Sequence, residues 1–134
     1  MIVVAQIATL VAAAVHLLAF AWESLLFRRP SVHEGVFRIP DSDVPAAHLW
    51  AFNVGFYNLF LGSGAVAGVA LWWAGHDVQG RTLVVYTCLF MFLAGLALAA
   101  SDRMALSRPR GDGVVGALSQ SGPPLVALIA LAVG

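Results

Sequence analysis

Four apolar runs, each near or above the ~20 residues that cross a bilayer core, are separated by short polar stretches and leave this chain few folds to choose from. They read as spans at about 2–27, 45–74, 82–100 and 114–133, within one domain covering 1–134. Backbone N–H and C=O groups in hydrocarbon must be satisfied within the protein, which makes each run a helix. The expected fold class is therefore an all-α membrane protein, a four-transmembrane-helix bundle. Composition agrees: 60% of the 134 residues are hydrophobic and 10% charged, against about 25% charged in soluble domains. The first run lacks a positive n-region and exceeds the 7–15 residues of a signal h-region, so it reads as a retained span.

The same composition excludes function classes. Net charge is zero and no basic run exists, which argues against nucleic acid as a partner. A single cysteine, Cys88, rules out an internal disulfide or a Cys-rich metal cluster and reads as a small buried apolar residue. A haem or metal site using His16 and His48 is a minor alternative, because no ligand spacing supports it, and the sequence implies no cofactor. His33 and His76 read as solvated loop residues.

Orientation follows from arginine, because the chain has no lysine. Arg28, Arg29, Arg38, Arg103, Arg108 and Arg110 fall in the first and third loops, and Arg81 alone in the second. The positive-inside rule then puts loops one and three in the cytoplasm and both termini outside it, in the inner membrane.

Glu23 is the one carboxylate inside an apolar run, with His16 seven residues before it. An ionised group there costs several kcal/mol without a partner, which makes it a functional-site candidate. At 100° per residue the two share a helix face, but about 10.5 Å separates them along the axis, too far for a direct bond. Arg28 or Arg29 could instead pair with Glu23 near the helix end. Span two supplies neighbours in Asn53, Tyr57 and Asn58, with His48 at its start. Asn53 and Tyr57 share a face, while Asn58 is turned by about 100° from Tyr57. Such polar groups belong inside the bundle, where they also serve as interhelical hydrogen bonds worth only about 0.6 kcal/mol each.

Depth brings these residues together. From the cytoplasmic end, Glu23 lies about 6 Å in, His16 about 16 Å, His48 about 5 Å, Asn53 about 12 Å, Tyr57 about 18 Å and Gln120 about 9 Å. The other half is nearly all apolar. That describes a polar pocket reached from one side, and it argues against a pore, which needs polar residues along its length. Gly64 and Gly68 form a small-xxx-small pair for close helix approach, with Gly95 and its neighbouring alanines doing the same in span three. Trp50, Trp72 and Trp73 sit where an aromatic belt would mark the ends of span two.

With those residues in hand, the chain resembles a bacterial integral-membrane family of unknown function, domain of unknown function 1304. The resemblance rests on His16 to Glu23 (HLLAFAWE), Val36 to Pro40 (VFRIP), Asn53 to Leu61 (NVGFYNLFL), Ala100-Ser101-Asp102, and Gln120-Ser121-Gly122-Pro123. The Asn-x-Gly-x-Tyr-Asn block is its most specific piece. Val54 stands where members commonly carry Gln, and the stretch 107–116 is longer than the family's third loop. The resemblance implies a four-helix bundle and no particular reaction.

The leading reading is a pocket that binds or transforms a small apolar or amphipathic molecule. Glu23 or His16 would move a proton, Tyr57 would polarise the substrate, and His48, Asn53, Asn58 and Gln120 would orient it. A proton-coupled transporter titrating at Glu23 is the alternative, and an accessory subunit with a structural polar core is the third. The lipid bilayer is the expected partner, with homo-oligomers compatible with each reading.

Overall fold

In the computed structural model, which describes residues 1–106 and 109–134, every regular element is helical. Helix α1 covers Ile2–Phe20 and runs directly into a π-helical turn, Ala21–Leu25. A short helix α2, Pro30–His33, and a 3₁₀ turn, Asp41–Asp43, occupy the first loop. Three long helices follow: α3 at Val44–Trp73, α4 at Asp77–Arg103 and α5 at Val114–Ala132. Four segments, built on α1, α3, α4 and α5, are long and apolar enough to cross a membrane. Exposed Val3, Phe60, Phe90, Leu93 and Ile129 give the bundle an apolar exterior of the kind lipid covers.

Loop chemistry sets where the helices stop. Arg29 is extended ahead of Pro30, as the proline ring requires of its predecessor. At the end of α3, Gly75 takes φ 84°, its N–H donates to the Trp72 carbonyl and the His76 N–H donates to Leu71. This paired cap turns the chain within three residues. The polar residues Asp77, Gln79 and Arg81, expected in the link, therefore form the first turns of α4 instead. Asp77 then sits at the positive end of the helix dipole and Arg103 at the negative end. Helix α4 closes with the same cap geometry, Leu106 N–H to Ser101 and Ala105 N–H to Asp102, with Ala105 at φ 53°.

The four long helices form a ring: α1 packs on α3 and α5, and α4 packs on the same two from the far side. Small residues allow this. A Cβ on Gly68 would lie 3.0 Å from Val84, one on Gly80 would lie 2.6 Å from the Trp72 nitrogen, and one on Gly95 would lie 2.7 Å from Ser121. Gly64 and Gly68 thus do carry the α3–α4 approach, with Gly80 as the unforeseen counterpart. The core near the second loop is apolar: Ala8, Val69, Val84, Cys88 and Ala127 pack together, with Ala12, Ala13, Ala65 and Met91 one layer on. Cys88 is buried, its sulfur 3.6 Å from the Thr9 hydroxyl. Trp72 belongs to this core rather than to a belt, and the Arg81 guanidinium lies 5.2 Å from its ring centroid. Trp50 and Trp73 are exposed.

The third loop is tied to Asp102. Its Oδ2 accepts from the Gly111 N–H at 2.9 Å and its Oδ1 from the Gly113 N–H at 2.7 Å. Gly113 is the N-cap of α5, so a buried carboxylate at the end of α4 satisfies donors at the start of α5. Ser107 and Arg108, the beginning of the long third-loop stretch and one member of the arginine count, lie outside the described residues.

Candidate functional site

The site begins where α1 loses its regular period. In the turn Ala21–Leu25 the Leu26 N–H reaches five residues back, to the Ala21 carbonyl, at 2.9 Å. Such a widened turn re-aims the side chains on it and often marks functional sites. Two anchors on α3 hold it. Ser24 Oγ donates to the Phe52 carbonyl at 2.9 Å. Gly55 lies directly beneath, where an added Cβ would collide with Ser24 Oγ and come within 3.1 Å of the Glu23 Cβ.

That contact puts Glu23 opposite Asn58, which is three residues beyond Gly55 and on the same face of α3. Asn58 Nδ2 donates to Glu23 Oε2 at 2.7 Å. Neither Arg28 nor Arg29 pairs with the carboxyl; among the described residues Asn58 is its hydrogen-bond partner. His16 is 2% exposed, and its Nδ1–H donates to the Ala12 carbonyl at 2.9 Å. A carbonyl can only accept, so the neutral ring carries its free lone pair on Nε2.

These groups line a cleft of about 660 Å³. His16, Glu23, Asn58 and Gln120 supply its polar surface, and Thr87 adds a hydroxyl already bonded to the Leu83 carbonyl. The walls are apolar: Val54, Phe60 and Leu61 from α3, and Leu83, Phe90 and Leu98 from α4. Tyr57 and Tyr86 stand at the mouth, 68% and 64% exposed, with Phe60 and Phe90 also largely exposed. All four aromatic residues lie in the middle stretches of α3 and α4, so the cleft opens sideways between these helices. Gly64 and Gly68 hold the two helices together at one end, and the opening lies towards the other.

Gln120 enters from α5 just before two prolines. Pro123 and Pro124 lie inside this helix and offer no N–H to the Ser119 and Gln120 carbonyls. Free carbonyls in a spanning helix are tolerated where they border protein or a cavity. The Gln120 side chain lies at such a place.

Five of the seven sequence candidates thus share the cleft: His16, Glu23, Tyr57, Asn58 and Gln120. Asn53 does not. It is exposed and donates to the Leu49 carbonyl at 2.9 Å, within its own helix. Five residues separate it from Asn58, about 140° of rotation, so one helix cannot aim both at Glu23. His48 is ten residues from Asn58, about 15 Å along α3. It stacks on Phe27 at 5.8 Å and lines a separate recess with Arg28, His33 and Asp41.

His33 differs from its expected solvated state. It is 1% exposed, its Nδ1–H donates to the Ile39 carbonyl at 2.8 Å, and its Nε2 lies 3.2 Å from Asp41 Oδ1. The ring pins the first loop closed across residues 33–41. Donor atoms of His33, Glu34 and Asp41 approach within 4.8 Å of one another, but both carboxylates are exposed and the imidazole is already engaged.

The profile of one protein family matches residues 10–132, nearly the whole chain; its description is "Protein of unknown function (DUF1304)". The chain belongs to this family. No curated protein and no solved structure matches it. Membership of DUF1304 agrees with the resemblance carried by the His16–Glu23 and Asn53–Leu61 segments, and both segments contribute to the cleft. The π turn, Gly55 and Ser24 were missed by sequence reasoning. Gly55 inside the Asn-x-Gly-x-Tyr-Asn block was the available signal, since glycine between aromatic residues in a span marks a close approach.

Proposed function

We propose that this DUF1304 protein binds an amphipathic small molecule in the cleft between α3 and α4. The molecule's apolar part lies against Phe60, Phe90 and Leu98, and its polar group meets Glu23, His16, Asn58 and Gln120. The observation that carries the reading is the combination of an apolar, laterally open cleft with a carboxyl at its floor that no arginine among the described residues pairs. A purely structural polar core would have its side chains bonded to one another. Here His16 Nε2 and Glu23 Oε1 have no protein partner among the described residues. The volume lies in the 300–1,000 Å³ range of small-molecule sites.

The first and third loops face the cytoplasm in this reading, because Arg28, Arg29, Arg38, Arg103 and Arg110 lie at that end and Arg81 at the other. Both termini then lie on the opposite side, and the polar floor sits in the cytoplasmic half. Acid–base chemistry on a bound substrate would use Glu23 and the Nε2 lone pair of His16, the two groups whose remaining lone pairs meet the cleft.

Native mass spectrometry of protein purified in mild detergent tests the reading. The expected result is a co-purifying small molecule that is lost in Glu23→Gln and in Ala94→Trp, which fills the cleft that Ala94 lines from α4, while both variants stay folded. If no adduct is found on the wild-type protein and both variants differ only in stability, the polar groups serve as helix contacts and the binding reading fails.

A further inference from the structure

The chemistry of the cleft floor narrows the ligand, an inference that rests on the binding reading above. No fully buried side-chain nitrogen or oxygen among the described residues lacks a partner. His16 Nε2 has none, although the residue is 2% exposed, so this atom must meet the cleft. The same holds for Glu23 Oε1 and Asn58 Oδ1, because Glu23 Oε2 and Asn58 Nδ2 are spent on each other. Three groups therefore offer lone pairs to the cleft: the Glu23 carboxyl, the His16 Nε2 nitrogen and the Asn58 amide oxygen. Gln120 adds an amide that can present either face.

An acceptor-rich floor without a counter-charge selects a donor that carries positive charge. A carboxylate at this depth costs several kcal/mol unless a cation meets it. Among the described residues no cation meets it: the chain has no lysine, and neither Arg28 nor Arg29, the arginines nearest to Glu23 in sequence, pairs with it. A primary ammonium has donors and no acceptor, so it can bond the free oxygens of Glu23 and Asn58, which their 2.7 Å contact holds side by side, and it passes favourably across aromatic faces. Tyr57, Phe60, Tyr86 and Phe90 line that route.

We infer that the cleft takes an amphipathic primary amine, with its ammonium at Glu23 and Asn58 on the floor that His16 also lines, and its hydrocarbon chain between α3 and α4. Dodecylamine, 1-dodecanol and lauric acid, which share a chain length and differ in head group, are suitable probes. Each is titrated against the full chain in maltoside micelles, with the 1:1 adduct read by native mass spectrometry. Dodecylamine is expected to bind at least tenfold more tightly than dodecanol, and laurate weakest of the three. Glu23→Gln, whose amide oxygen still accepts from Asn58, is expected to abolish the preference for amine over alcohol. Ala94→Trp is expected to weaken both.

Equal binding of amine and alcohol to the wild-type protein overturns the inference, and that comparison needs no variant to fold. A preference that survives in Glu23→Gln overturns it as well. In either case, sensitivity to Ala94→Trp would leave the cleft as a ligand site of another specificity. Adducts indifferent to Ala94→Trp would overturn both the amine assignment and the binding reading.

Discussion

Asn58 donates to Glu23 across the α1–α3 contact at 2.7 Å, and this bond is the carboxyl's hydrogen-bond link to the protein among the described residues. Hydrogen bonds to charged groups contribute about 1.5–3 kcal/mol, while bonds between spanning helices average about 0.6 kcal/mol. A double-mutant cycle of Glu23→Ala and Asn58→Ala is expected to return a coupling of about 0.5–2 kcal/mol. Unfolding by sodium dodecyl sulfate in mixed micelles measures it. Zero coupling would show that the two side chains contribute independently.

Gly55 is the spacer that makes that bond reachable. A methyl group there meets Ser24 Oγ and the Ser24 nitrogen, which belong to the π turn and cannot retreat freely. Gly55→Ala is expected to destabilise the bundle by about 1–3 kcal/mol, the usual cost of overpacking. Loss of the co-purifying adduct should accompany it, since Glu23 moves with the turn. A variant as stable as wild type with its adduct intact would contradict the packing argument.

The α4–α5 contact offers a paired comparison. A Cβ on Gly95 would lie 2.9 Å from the Ser121 backbone nitrogen, whereas one on Gly116 makes ordinary contact at 3.5 Å with Leu98. Gly95→Ala should lower the unfolding midpoint. Gly116→Ala should leave it unchanged or raise stability by about 0.5–1 kcal/mol, the helical advantage of alanine over glycine. The opposite ranking would mean that α4 and α5 are not held together at Gly95.

Asp102 links the end of α4 to the start of α5 through two charge-assisted bonds. Asp102→Asn keeps the shape but removes the charge and at least one acceptor. A loss of about 1–2 kcal/mol is expected, in the range of helix-capping and dipole effects. Faster hydrogen exchange at the Gly111 and Gly113 amides would localise the effect, and unchanged protection there would refute it.

His33 separates a buried bond from an exposed one. Its Nδ1 partner is the Ile39 carbonyl, while its Nε2 partner, Asp41, is 83% exposed. His33→Ala is expected to cost about 1–3 kcal/mol by leaving the carbonyl unpaired. Asp41→Asn should cost less than about 1 kcal/mol, as surface ion pairs do. Proteolysis within residues 33–41 reads both, with accelerated cleavage expected for His33→Ala alone.

Four helices, their count and their approximate extents were legible in the sequence, because each apolar run is a local property that the bilayer forces into one conformation. The start of α4 was misplaced because a cap at Gly75 absorbs the turn, and charged residues beyond it are free to be helical. His16, Glu23, Tyr57, Asn58 and Gln120 were identifiable as candidates because polar side chains in hydrocarbon need partners or a cavity. Which polar groups meet was decided only by tertiary structure. In a spanning helix both the lipid face and the packed face are apolar, so the hydrophobic pattern carries no rotational phase. The phase comes from glycine contacts at 55, 68, 80 and 95 and from one π turn. Those contacts select Asn58 over Asn53, bury Trp72, and send His48 to a separate recess.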